Sequence, residues 1–506
     1  MFGRKYPIGK QDFPKLRNEG FVYVDKTKYA LELAYLGGSY FLSKPRRFGK
    51  SLFLSTLESI FLGKKELFEG LYIYDKWEFE EYPIIRLDYT KIGYRDLGLK
   101  EALRRELLSI YDYYGIETKE TVISQLLKNL IETLSKKYNK GVVILIDEYD
   151  KPLIDFIDKD NLHQAKENRD IFKDLYSVFK PLEKNIKFLL ITGVSKFSKV
   201  SIFSDLNNLT DISTHKHFAE ICGITQEELE TNFTEELKLY DKEKIRDWYN
   251  GYKFNINGKK VYNPFSILNF FYGEGEYKNF WYATGTPTFL MKLCRERQLY
   301  DFESVKLNKS DLGNFDIENL KIEPLLFQTG YLTIVEEDAL FDEFTLTFPN
   351  KEVKSSYIRN LLEAYVDTAQ LQSSDILNGL RRFLNTKDKE LLKDTINQAF
   401  SHIPYGLWQK ENEQYYHALV HLMFSLLGVY IFSEVQTKKG RTDSVVMFEN
   451  EVFIFEFKLN QSAEEAFFQI ENKGYVDHFK DSGMPVYKIG VNFSSEKKEV
   501  EEIVLG

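Results

Sequence analysis

Along the first third of the chain, short unbroken apolar runs alternate with stretches of helical period. FVYVD (21–25) and SYFLS (39–43) read as strands, with a helix between them over 27–36. SLFLSTLESIFLG (51–63) sets Leu52, Phe53, Leu57, Ile60 and Phe61 on one helical stripe that stops at Gly63. YPIIRLDYT (82–90), GVVILIDEYD (141–150) and KFLLITGVSKFS (187–198) are further strand candidates. The β-branched run at 141–150 is that of a strand buried on both faces. Strands alternating with helices predict an α/β fold with a parallel sheet, whose ligands belong at the carboxyl ends of the strands.

The pattern then changes twice. From about residue 224 the elements are shorter helices and turns, one helix starting at the capping box Thr225/Glu228. Positions 346–365 read as a strand, a Pro-Asn turn and a helix. Near the end, EVFIFEFKLN (451–460) alternates with period two: Val452, Ile454, Glu456 and Lys458 share one face, Phe453, Phe455, Phe457 and Leu459 the other. RTDSVVMF (441–448) reads as the strand before it, and SAEEAFFQIENKGY (462–475) as an amphipathic helix after it, opened by Ser462/Glu465.

Composition narrows the class. The 506 residues are too many for one core and suggest roughly three domains. With 43% hydrophobic and 29% charged residues and only 12 prolines, the chain is that of a soluble globular protein. No apolar run approaches the roughly 20 residues of a membrane helix, and MFGRKYPIGK lacks the apolar core of a secretory signal. Cys222 and Cys294 are too few for a disulfide framework or a cysteine zinc site. These features place the protein in the cytoplasm with reduced thiols. A net charge of −9 argues against a surface coated in positive charge for nucleic acid, but leaves room for a local basic groove.

Chemistry enters at SKPRRFGKS (43–51). Gly49, Lys50 and Ser51 match the end of the phosphate-loop pattern, but Lys44 stands where its first glycine belongs. On local sequence this is either a modified phosphate loop or a basic loop that resembles one. Its place between a strand and a helix N-terminus favours an anion. The strand 141–150 ends in Asp147 and Glu148. In a P-loop enzyme the first acid holds Mg²⁺ and the second polarises the attacking water; the alternative is a strand end that turns polar at the surface. Thr192, Gly193 and Ser195 end the next strand, where a side chain such as Ser195 reaches the γ-phosphate or merely begins a loop.

A second constellation lies near the C-terminus. If Glu449-Asn450 is a two-residue hairpin turn, Asp443 falls opposite Glu456, their Cβ atoms about 5 Å apart. A three-residue loop would put Asp443 on the wrong face, and Glu-Asn is not a favoured hairpin dipeptide. Asp443, Glu456 and Lys458 around one or two Mg²⁺ can activate water for phosphodiester hydrolysis; the alternative is an interstrand salt bridge to Lys458. The following helix presents Gln469 on the face of Ala466 and Lys473. In ENEQYYHALVHLMFSLLG (411–428), Glu413 is a further acid candidate. His417 and His421 have the i, i+4 spacing of zinc ligands but no adjacent Glu and no third ligand, so they read as ordinary helix histidines.

IGKQDFPKLRNEGFVYVDKT, KPRRFGKS, LIDEYDKPL and ITGVSKFSKVSIFSDLNNLTDIS resemble the bacterial AAA-ATPase-like proteins, relatives of archaeal-type and STAND P-loop ATPases. That family's loop commonly reads RPRRFGKS, so the resemblance makes 43–51 a phosphate loop, with Lys50 on the β- and γ-phosphates of ATP and Ser51 on Mg²⁺. Arg46 and Arg47 are left either on phosphate or partner groups or in solvent. DWYNGYKFN and VYNPFSILNFF match later phrases of the family and imply a lid with winged-helix character. Asp443, Glu456-x-Lys458, Gln469 and Tyr475 resemble the PD-(D/E)XK restriction-endonuclease-like superfamily. The implied layout is a P-loop domain (1–223), a lid (224–345), a helical connector (346–400) and a nuclease-like α/β domain (401–506). It implies ATP with Mg²⁺, Mg²⁺ or Mn²⁺ at the nuclease site, a nucleic-acid partner with DNA foremost, and no membrane. Homo-oligomerisation stays open. The rival reading is a nucleotide-dependent switch or scaffold whose C-terminal domain binds without cutting.

Overall fold

The computed structural model describes residues 4–158, 160–196, 203, 206, 208–282, 288–313, 320–365, 373–403, 408, 412–428, 430–437 and 440–506. Two compact units emerge, one of Met1–Thr284 with Val305–Glu352, the other of Gly285–Ser304 with Val353–Gly506.

The first unit is built on a parallel sheet of β1 (Gly38–Ser43), β2 (Ile84–Asp88), β3 (Val142–Asp147), β4 (Ile186–Gly193) and β5 (Leu209–Asp211), in the order β2-β3-β4-β1-β5. Every residue of β3 is buried, the reason its sequence is apolar without alternation. Helices Lys50–Phe61, Leu99–Tyr113, Ile123–Tyr138 and Leu162–Tyr176 link successive strands. The carboxyl ends of β1, β2 and β3 open on the same side, so the turn after Ser43 and the acids after Ile146 share one crevice.

FVYVD is not a strand. Phe21 makes a single bridge to Lys5, and Val22 and Val24 pack against an apolar cluster of the following segment, so side-chain burial takes the place of a ladder. That cluster gathers Phe233, Ile245, Tyr249, Ile267 and Phe270. It is framed by the short antiparallel pair β6 (Ile224–Thr225) and β7 (Val261–Tyr262) and by helices Gln226–Asn232, Lys242–Tyr249 and Pro264–Tyr272. Thr225 and Glu228 form the reciprocal capping box. A three-stranded antiparallel sheet, β8 (Val305–Asn308), β9 (Thr333–Asp338) and β10 (Glu343–Thr347), completes this unit in the order β8-β10-β9.

The second unit has a mixed sheet of β11 (Tyr430–Thr437), β12 (Gly440–Phe448), β13 (Glu451–Leu459), β14 (Val486–Ser494) and β15 (Glu499–Leu505), paired in chain order. Only β13 and β14 run parallel, joined by helix Ala463–Asn472. That helix covers one face; helices Glu413–Leu427 and Lys389–Phe400 cover the other through Phe424 on Phe455 and Phe400 on Phe493. Phe448 pairs with Glu451, so Glu449-Asn450 is a two-residue turn, with Glu449 at φ +53°. Among the described residues no helix is long and apolar enough to cross a membrane.

Two candidate functional sites

The first site begins where β1 ends. Gly49 sits at φ +98°, a left-handed turn open to glycine at little cost, and starts the helix Lys50–Phe61. The Lys50 ammonium is buried; it donates to the carbonyls of Lys44 (2.9 Å) and Pro45 (3.2 Å) and lies 3.4 Å from Glu148 Oε1. Asp147 Oδ1 accepts from Thr192 Oγ1 at 2.6 Å. Burial raises the Asp147 carboxyl above the usual range, opposed by hydrogen bonds from Thr192 and Ser51. Gly49, Lys50, Ser51, Asp147 and Glu148 wall one cleft of about 350 Å³. An apolar recess of about 90 Å³ adjoins it, sharing Pro7, Gly49, Leu52, Pro264 and Leu268.

Ser195 is elsewhere. It is fully buried, and its amide (2.6 Å) and hydroxyl (2.8 Å) both donate to Asp150 Oδ2, as does the Val194 amide at 2.9 Å. Burial pushes the Asp150 carboxyl up to about 6. A Cβ on Gly193 would lie 2.7 Å from Asp150 Oδ1, so the loop after β4 closes over this carboxylate only with glycine there. Thr192, three residues earlier, is the residue that meets Asp147. Arg46 gives its carbonyl to Trp281 Nε1 (3.0 Å), and the Arg47 guanidinium lies 5.0 Å from the Phe265 ring. Asp88 also walls the cleft, in register with Asp147 on the neighbouring strand. Sequence reasoning passed over it, although an acid at the carboxyl end of a predicted strand was the signal to use. In ITGVSKFSKVSIFSDLNNLTDIS (191–213), positions 197–202, 204, 205 and 207 lie outside the described residues.

The second site sits on the face of β13 that helix Ala463–Asn472 covers. Ser444 pairs with Phe455, and the ladder stops there. Asp443 and Glu456 are the next positions on the two strands, and Asp443 Oδ2 takes the Phe457 amide at 2.8 Å where the strands part. Glu456 is buried, at 1% exposure. Its Oε1 accepts from Gln469 Nε2, while Oε2 has no hydrogen-bond partner among the described residues. Burial, then the Asp443 charge, push the Glu456 carboxyl up to about 8 against the pull of Lys458. Gly490 pairs with Glu456 across the parallel ladder, and a Cβ there would lie 2.2 Å from the Ala463 carbonyl. The missing side chain is what lets helix Ala463–Asn472 approach closely enough for Gln469 to reach Glu456. This glycine carried no recognisable signal in the sequence.

The donor set fits a divalent cation. Two carboxylates side by side at a buried position repel each other, and one oxygen of Glu456 lacks a partner; hard oxygen donors of that kind are what Mg²⁺ or Mn²⁺ takes. Among the described residues no group of three His, Cys, Asp or Glu residues is placed to hold a metal ion. Glu413 is exposed at the start of its helix. His417 Nε2 lies 2.8 Å from Ser444 Oγ, on the opposite face of the sheet from Glu456, and His421 is buried with its pKa lowered to about 4 by desolvation. Tyr475 packs with Val445, Ile454 and Ile470.

These geometries agree with what the chain is similar to. The family model described as "Predicted AAA-ATPase" matches residues 7–203, and that of the PD-(D/E)XK nuclease superfamily matches 411–503. An uncharacterized protein in the vnfD 5′ region of Azotobacter chroococcum mcd 1 is 37% identical over 522 residues, spanning 100% of this chain and 99% of its own.

Proposed function

The chain belongs to the family of that Azotobacter protein, with an AAA-ATPase-like domain followed by a PD-(D/E)XK nuclease-superfamily domain, and on this premise we propose that it hydrolyses ATP and cuts DNA. At the first site the Gly49 turn aims helix N–H groups at phosphate, and Lys50 exchanges Glu148 for the β- and γ-phosphates. Glu148, released, orients the attacking water. Ser51 and Asp147 hold Mg²⁺, which neutralises charge on the phosphates. The apolar recess beside Leu52 and Leu268 receives the base.

At the second site Asp443 and Glu456 hold Mg²⁺ or Mn²⁺, which supplies Lewis-acid stabilisation of the phosphodiester oxygens. Gln469 fixes the Glu456 carboxylate. Lys458, half-buried at the strand end, orients the attacking water. The observation that carries this reading is the buried, partnerless Glu456 oxygen beside Asp443.

The deciding experiment is cleavage of linear and circular DNA with Mg²⁺ or Mn²⁺, with and without ATP, for wild type, Lys50→Ala and Glu456→Ala. The expected result is cleavage that Glu456→Ala abolishes and that ATP or Lys50→Ala alters. If wild type and Glu456→Ala both leave DNA and RNA intact while ATP turnover continues, the C-terminal domain binds without cutting and the protein is a nucleotide-dependent switch.

A further inference from the structure

Lys44 and Pro45 wall a second cavity of about 300 Å³ in the first unit, one that shares no residue with the cleft of Gly49, Lys50 and Ser51. Its lining includes Ser213, Thr214, Phe254 and Ser310, with Lys196 and Lys309. Lys196 is paired with Asp211, and Lys309 with Glu337 (2.6 Å) and Asp342 (3.2 Å). Lys44 is different. At 1% exposure, its ammonium donates to the Ser213 carbonyl at 2.7 Å and stands 3.7 Å from the centre of the Phe254 ring. Among the described residues no carboxylate comes within ion-pair distance of it; Asp211, which also lines the cavity, is held by Lys196, and desolvation lowers the Lys44 pKa to about 7 against the weaker pull of Cys222 and Asp211.

A buried ammonium is costly without a counter-charge, because one carbonyl and one ring face replace little of its hydration. Ser213 and Phe254, the two groups that touch it, both line the cavity, so the charge lies beside space with room for a small ligand. We propose that this cavity binds a compact oxyanion of the phosphate class, with Lys44 as its counter-charge. Thr214 is in the wall with a hydroxyl to donate to such an anion, whereas the Ser310 hydroxyl already donates to Asn308 Oδ1 at 2.8 Å.

The same two residues connect this cavity to the nucleotide cleft. The carbonyls of Lys44 and Pro45 accept from Lys50 Nζ, and Pro45 is wedged against Gly330, where a Cβ would come within 2.7 Å. An anion that draws the Lys44 side chain into the cavity therefore acts on the carbonyls that hold Lys50, and by linkage ATP acts on the anion. This coupling rests on the ATP-binding reading, whereas anion binding itself does not.

Calorimetric titration of the full chain with inorganic phosphate, and separately with AMP, under saturating Mg·ADP tests the site. Thermal melting establishes that each variant is folded. Phosphate binding should persist in Lys50→Ala and Lys44→Arg and weaken by about tenfold or more in Lys44→Met. Thr214→Glu, at an exposed position lining the cavity, adds a carboxylate to its wall and should block the anion even if Lys44→Met fails to fold. Binding of AMP but not phosphate, with the same dependence on Lys44, would identify a phosphate monoester as the occupant. Binding unchanged in Thr214→Glu, binding lost only in Lys50→Ala, or no binding of either probe with a Kd below about 1 mM would overturn the proposal. ATP affinity should shift with phosphate in wild type but not in Thr214→Glu. A shift identical in both would remove the coupling and leave the site.

Discussion

The two acid pairs of this protein solve the same electrostatic problem differently. Asp147 and Glu148 are adjacent in sequence, and the fold separates their duties: Thr192 donates to Asp147, and Lys50 lies against Glu148. Asp443 and Glu456 come from two strands, and no lysine or arginine is within ion-pair distance of Glu456 among the described residues; its carboxyl is pushed up to about 8. The first pair is compensated by the chain's own cation, which must move when phosphate arrives. Glu456 has no such cation against it among the described residues, so it gains most from an external one. A preformed lysine therefore suits a site that exchanges one anion for another, and a carboxylate pushed up by burial and an acidic neighbour suits one that acquires a metal.

The contrast is broken most severely by Glu456→Ala, expected to lower DNA cleavage by about 10³-fold while ATP turnover in the same preparation is retained. Equal loss of both activities would show that the sites are not chemically separate. Lys50→Ala should cut ATP turnover by roughly 10²-fold or more, measured as phosphate release at saturating ATP.

The pH dependence sharpens the comparison. A carboxyl raised from 4.5 to about 8 by folding prefers its protonated form in the native state. Stability from this group is therefore complete below about pH 4.5, declines as pH rises towards 8, and levels off above it. Denaturant melts of Glu456→Gln, which cannot ionise, should lack that decline, and Mn²⁺ should restore stability at pH 8 to wild type but not to the variant.

Smaller still is Gly490→Ala. Overpacking of helix Ala463–Asn472 should cost about 1–3 kcal/mol and lower cleavage by displacing Gln469; unchanged melting and cleavage would mean the helix has room to spare. Ser195→Ala removes one hydrogen bond to the buried Asp150 and should cost about 1–2 kcal/mol of stability. A rise in the KM for ATP without that loss would instead put Ser195 on the phosphates.

Much of this was determined by sequence alone. The unbroken apolar run of β3 required burial on both faces, and the alternation of β13 put Glu456 and Lys458 on one face, because strand periodicity is a local property. Gly49-Lys50-Ser51 and the capping box at Thr225 are likewise local, each set by backbone conformation within one turn. The tertiary structure decided what depends on partners distant in the chain. FVYVD has strand-like residues, yet it makes one bridge to Lys5 and its valines pack on the apolar cluster of the following segment. Ser195 lies at the end of the right strand, yet it turns inward because Asp150 is buried beneath it and needs donors. Whether Asp443 stands beside Glu456 hung on a Glu-Asn turn that sequence disfavours; pairing along the rest of the hairpin outweighs the local cost of a positive φ at Glu449. The burial of Lys44 and the close approach at Gly490 were invisible in the sequence for the same reason, since desolvation and packing belong to the assembled unit and not to the residue.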